Sequence, residues 1–218
     1  MLVSFVIIHH LSMKSFEDQN QEVWEPDVSG TYTARDYITW KTEEMMELLL
    51  GKIFKMSPAP SSVHQQIVMN LGNSLYTHFK KSCKVFPAPY DVYLVKSGEN
   101  WKETKNILQP DLCVICEASK VQHRGCIGAP DLVVEILSPS TAAKDLGIKR
   151  DLYEEYGVKE MWIIHPHDAT VAVHVLENGK YRILPLYSKG ETIQSPTFAE
   201  LKVDLNDVFI EDLFNSLY

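Results

Sequence analysis

The chain has 218 residues, of which 45% are apolar and 23% charged, enough for one domain with a sizeable core. Its 21 Lys and Arg against 29 Asp and Glu give a net charge of −8, which argues against a broad non-specific grip on nucleic acid while leaving room for a local basic groove. Four cysteines and no secretory signature point to free thiols in a reducing, cytoplasmic compartment.

Leu2 to Ile8 is apolar but too short to span a bilayer, and no basic residue precedes it and no cleavage pattern follows. It reads as an edge strand or a loose arm, and Met13 is an alternative start. Residues 1–32 are expected to form this arm, and 33–218 a single domain. Thr33 caps a short helix carrying Tyr37, Ile38 and Trp40. Met46 to Met56 reads as a β-hairpin turning at Leu50-Gly51. Ser62 and Gln65 match a capping box, and Val63, Ile67, Val68, Leu71, Leu75 and Phe79 recur at helical spacing.

A strand is expected within Val85 to Val95 and another at Leu108 to Cys116, followed by a charged connection from Glu117 to Gly128. Met161 to Ile164 reads as a short strand. Val171 to Leu176 and Tyr181 to Tyr187 form a meander around Asn178-Gly179, and Asn206 to Leu217 a short amphipathic helix. This order predicts an α/β core with a mixed sheet flanked by helices, plus an added hairpin and meander.

The most informative stretch is Ala129 to Tyr156. Leu132 to Leu137 is an apolar run typical of a strand covered on both faces, yet Glu135 stands inside it. An ionised Glu there costs several kcal/mol or more unless a cation accompanies it. Ser138-Pro139 ends the strand, and Ser140 or Thr141 can cap the following helix. Ala142, Leu146, Leu152, Tyr153 and Tyr156 fall on one stripe of that helix, and Lys149 falls inside the same stripe.

Two Pro-Asp pairs offer a carboxylate partner for Glu135. Asp131 shares its strand but lies ~13 Å away, so it reads as a strand-entry residue. Asp111 heads another strand, and neighbouring strands lie ~5 Å apart, so Asp111 and Glu135 can converge on one cation. Two carboxylates without a rich His set suit Mg²⁺ or Mn²⁺. Lys149 would then stabilise charge on a phosphate or orient a water, unless it forms a purely structural ion pair with Glu135.

The segments QPDLCVIC, GAPDLVVEILSPST, KDLGIKRDLYEEYGVKEMWII and MELLLGKIFKMSPAPSSVHQQI resemble the Uma-two family of restriction-endonuclease-like domains, over roughly Thr33 to Phe209. The resemblance implies the PD-(D/E)xK nuclease fold with a divalent-metal site. The superfamily's usual lysine position, two residues after the acid, is Leu137 here. The family instead places a lysine on the next helix, where Lys149 lies. Glu47 matches the family's acidic residue before the hairpin turn, either a third metal-reaching carboxylate or a polar hairpin residue. His64 matches a recurrent position and reads as a satisfied structural His rather than a phosphate or water contact. His165 stands where the family usually has Asp and reads as neutral variation.

Cys113, Cys116, His123 and Cys126 have spacing reminiscent of zinc, but residues three apart in a strand face opposite sides, so zinc is not expected. No phosphate-cradling Gly-rich loop, nucleophile elbow or dinucleotide fingerprint occurs. The leading expectation is a metal-dependent endonuclease with DNA as substrate, Asp111, Glu135 and Glu47 at the metal, and Lys149 at the phosphate. The rivals are an inactive nuclease fold used for binding or assembly, and a hydrolase of a small phosphorylated molecule. A homodimer would suit cleavage of both strands; no membrane association is expected.

Overall fold

The computed structural model describes residues 26–42, 44–56, 60–138 and 142–210. The elements, in chain order, are α1 (Ala34–Tyr37), β1 (Met46–Leu49), β2 (Lys52–Lys55), α2 (Ser62–Phe79), β3 (Lys84–Pro87), β4 (Val92–Tyr93), β5 (Ile107–Leu108) and β6 (Leu112–Ile115). They continue with β7 (Val121–Gln122), β8 (Gly125–Ile127), β9 (Leu132–Ile136), α3 (Ala142–Lys144), a π-helical turn (Asp145–Lys149) and α4 (Arg150–Tyr156). The remainder are β10 (Glu160–His165), β11 (Thr170–Glu177), β12 (Lys180–Ile183), β13 (Tyr187–Ser188), β14 (Thr192–Gln194), β15 (Lys202–Asp204) and α5 (Leu205–Val208).

Two sheets carry the fold. The larger runs β12-β11-β10-β9-β6-β3, with β13 beside β11; the smaller runs β2-β1-β5-β4-β8-β7. The apolar run of β9 lies between parallel β10 and antiparallel β6, so both its edges are paired and both its faces covered. Period-2 alternation divides its side chains. Leu132, Val134 and Ile136 pack towards α2, whose buried stripe is Val63, Ile67, Leu71, Leu75 and Phe79. Each such buried aliphatic side chain contributes about 1.5–3 kcal/mol. Val133 faces the opposite layer, where α4 supplies Leu152 and Tyr153, the smaller sheet supplies Leu49, Val92 and Leu108, and Leu94 follows β4. Glu135 has the parity of Val133 and therefore points between the two sheets.

Several elements follow the sequence pattern with shifted details. The hairpin turns at Leu50-Gly51 as expected, with positive φ at both residues, 53° and 80°, the signature of a type I′ turn. The cap of α2 is Ser61 rather than Ser62, its hydroxyl accepting from the backbone N–H of His64 at 3.2 Å. The expected strand within Val85 to Val95 divides into β3 and β4, which belong to different sheets. The connection at Glu117 to Gly128 contains the β7–β8 hairpin, because Cys126 pairs with Val92 and Val121. The C-terminal helix starts at Leu205, one residue early, and ends at Val208 rather than running on through Phe209 and Ile210; its expected course beyond 210 lies outside the described residues, as do residues 1–25 and the cap at Ser140 or Thr141.

Two of the cysteines depart from the free-thiol expectation. Pairing of Lys84 with Ile115 brings Cys83 opposite Cys116, and the two form a disulfide with Cα atoms 4.1 Å apart. Cys113 and Cys126 remain free and buried. Bridging Cys116 removes a member of the zinc-like set.

Candidate active site

The site is built where three layers meet. Glu47, on β1 of the smaller sheet, is fully buried; its parity is opposite to Leu48, which packs into an aromatic cluster with Tyr93, Tyr37 and Trp101. Glu135 descends from β9 of the larger sheet. Asp145, Lys149 and Tyr153 come from the helix that returns after β9, spaced four residues apart so that one helical face presents all three.

The ammonium of Lys149 is the hub. It lies 2.8 Å from Glu47 Oε1, 3.1 Å from each Glu135 oxygen and 3.3 Å from Asp145 Oδ1. Tyr153 donates its hydroxyl to Glu135 Oε1 at 2.7 Å. Glu47 Oε1 also accepts the backbone N–H of Gln109 at 2.9 Å, while Lys144 reaches Glu47 Oε2 at 2.6 Å. The inward lysine expected from the stripe is thus present. The stripe itself is wound differently. The π-helical turn inserts a residue into the helical register, which puts Asp145 inside and leaves Leu146 44% exposed. Asp145 was absent from the sequence-derived site; its four-residue spacing from Lys149 was the signal that could have marked it.

Asp111 stands just before β6. Register pairs Leu112 with Val134, so Asp111 falls opposite Glu135 across neighbouring strands. Asp111 and Glu135 thus stand on neighbouring strands of one sheet. Asp111 Oδ2 accepts the backbone N–H of Ile136 at 2.6 Å, and Oδ1 lies 3.1 Å from Nε2 of His64. His64 is thereby drawn to the site's edge; its Nδ1 is buried without a hydrogen-bond partner among the described residues. Asp131 takes the strand-entry role, accepting from the N–H of Cys116 and from Lys159.

The carboxyls are driven apart electrostatically. Burial holds Glu135 well above the ordinary carboxylate range, with Asp145, Asp111 and Glu47 adding repulsion against the pull of Lys149. Burial would also raise Glu47, but Lys149 and Lys144 outweigh it and hold that group low. Burial alone would lower Lys149; Glu135, Glu47 and Asp145 overcome it and keep the ammonium charged well above neutrality. A permanently charged Lys149 can stabilise negative charge but cannot serve as a general base near pH 7.

The cluster opens into a cavity of about 790 Å³, walled by His64, Asp111, Glu135, Lys144, Lys149 and His165 together with apolar side chains such as Met45, Pro60 and Val68. Four carboxyl groups, from Glu47, Asp111, Glu135 and Asp145, face two ammoniums, so acidic groups outnumber basic ones by two. Asp145 Oδ1, buried, has no hydrogen-bond partner among the described residues. An all-oxygen donor set with that surplus fits a hard divalent cation. Among the described residues no three His, Cys, Asp or Glu are already arranged as a metal cage. A Mg²⁺ site resting on one or two carboxylates and water requires no such cage.

The profile of the Uma2 family, described as "Putative restriction endonuclease", matches residues 34–206. The chain belongs to the Uma2 family. A crystal structure described as a putative nuclease of DUF820 from Anabaena variabilis superposes with a TM-score of 0.63 at 22% identity, covering 81% of this chain and 97% of that one. That likeness establishes the restriction-endonuclease-like fold. An uncharacterised Synechocystis sp. protein is 31% identical over 121 residues, 54% of this chain and 60% of its own length. Uma2 membership supports a nuclease function. Among the described residues no helix is long and apolar enough to cross a membrane.

Proposed function

We propose that this Uma2 protein is a divalent-metal-dependent endonuclease acting on DNA. The observation that carries the reading is Lys149 held among Glu47, Glu135 and Asp145, with Asp111 opposite Glu135, at the wall of an open cavity. Asp111 and Glu135 would hold Mg²⁺ or Mn²⁺, with Glu47 as the third candidate ligand. When bound, the cation would lower the pKa of a coordinated water and neutralise charge on the phosphate. The chain's own groups prepare that site. Lys149 keeps Glu47 and Glu135 together against their repulsion, Tyr153 orients Glu135, and His64 with the N–H of Ile136 fixes Asp111.

Calorimetric titration of Mn²⁺ into the wild type and Glu135→Ala, followed by nicking of supercoiled plasmid, tests the reading. Metal binding and nicking are expected in the wild type and lost in the variant. Metal binding without nicking of plasmid DNA would move the assignment to a small phosphorylated substrate. A second reading, a binding or assembly module, draws on the internal pairing of Lys144 and Lys149 with carboxylates. Absence of metal binding by the wild type would select it.

A further inference from the structure

The two lysines of the site differ in what they can reach. The Lys149 side chain is 3% exposed, and its ammonium is enclosed by three carboxylates. Moving it onto a substrate would strand buried carboxylates without their counterion, an expensive state in a low-dielectric interior. Lys144 is 16% exposed at the cavity wall, and its acceptor among the described residues is Glu47 Oε2. An ammonium carries three donors, so one contact to Glu47 leaves capacity for phosphate oxygens. Glu47 also aims it. Its carboxylate is fixed independently by the N–H of Gln109 and by Lys149, so Lys144 is tethered to a rigid anchor.

We propose that Lys144 is the residue that contacts a substrate phosphate, and that Lys149 is a positioning residue that holds the carboxylates. This assignment rests on the nuclease reading and names its substrate-binding group. The cavity's other wall fits the same substrate. Pro60, Val63, Val68 and Pro89 offer apolar surface for a base or sugar, so charge is concentrated at the phosphate end. One or two phosphate contacts, rather than a basic tract, agree with a net charge of −8.

Counterion release separates this role from an internal clasp. A lysine that neutralises a phosphate contributes to the salt dependence of binding, whereas a lysine paired only with Glu47 does not. The full chain is titrated with a short fluorescent oligonucleotide, single-stranded and duplex, in Ca²⁺ at about 50–200 mM salt. Wild type, Lys144→Ala, Lys144→Gln and Lys144→Arg are compared, with a melting temperature for each. The expected result is roughly tenfold weaker binding for the alanine and glutamine variants at low salt. Their log–log salt slope should be shallower by ~0.7 for single strands or ~0.9 for duplex, with arginine restoring both. Unchanged affinity and slope in a variant whose melting temperature falls would overturn the proposal and make Lys144 a structural clasp. Failure of the wild type to bind either oligonucleotide would instead overturn the nucleic-acid reading, and this assignment with it.

Discussion

At the scale of single residues, the site is a problem in placing one ammonium among acids that repel one another. Glu135 is the group with the raised titration, and the sign of its contribution follows. A carboxyl whose folded pKa lies above its unfolded value stabilises the fold below the unfolded value, near 4.3, and loses that contribution as pH rises through the folded one. Glu135→Gln removes this dependence. The variant is expected to gain on the wild type as pH rises from about 4.5 to 8, read as the difference in urea midpoints; parallel profiles would show that Glu135 is not held neutral. Lys149→Met removes the hub and leaves Glu47, Glu135 and Asp145 facing one another. A loss of about 3–5 kcal/mol is expected at pH 7, the usual scale for stranding a buried charge. Without the lysine those acids titrate high, so the variant should recover stability on mild acidification. A loss below about 1 kcal/mol at pH 7 would mean that water or another cation already compensates them.

At the scale of elements, two local conformations decide where side chains go. The type I′ turn at Leu50-Gly51 brings β1 and β2 into register, pairing Glu47 with Phe54 and Leu48 with Ile53. Leu50 has φ of 53°, a region that costs an L-residue roughly 1–2 kcal/mol, and its side chain is exposed. Leu50→Asn is therefore expected to raise stability by about 0.5–1 kcal/mol, seen as a higher melting temperature with the site intact. No gain would locate a compensating contact for the leucine. The second conformation is the π-helical turn. Straight α-helical winding would bury Leu146 with Lys149; the extra residue turns Leu146 out and lets Asp145 face the lysine hub.

At the scale of the whole molecule, the layers explain why the remaining cysteines are silent. Cys113 and Cys126 lie in the core between the sheets, and burial pushes the Cys126 thiol up to about 12. Burial likewise raises Cys113 well above the ordinary thiol range. With Cys83 and Cys116 bridged, a disulfide-exchange reagent is expected to find no reactive thiol in the native protein and two per chain after unfolding without reductant. Four thiols in the unfolded protein would refute the bridge. The same layering ties the chain's late elements to its early ones. Ile193, Leu201, Val203, Val208 and Phe209 share one core with Val63 to Phe79 of α2, and Asn70 donates to the carbonyl of Val208. Truncation before β14 is accordingly expected to yield aggregated protein rather than a smaller folded domain.

Much of this was legible along the chain because it depends on local periodicity. The apolar run of β9 announced a strand covered on both faces, a charge within it announced a partner, and helical spacing turned Lys149 inward. The blocks around Asp111, Glu135 and Glu47 carried the family resemblance that the Uma2 match bears out. What the tertiary structure alone decided were relations between distant segments. Sequence could not tell that Glu47 would face both Lys144 and Lys149, because that meeting depends on the packing of β1 against the helical segment after β9, about 100 residues further along the chain. Nor could it reveal the Cys83–Cys116 bridge, which follows from strand register, or the exposed Leu146, which follows from one extra residue in a helical turn. Periodicity determines which face a side chain takes; only packing determines what it meets there.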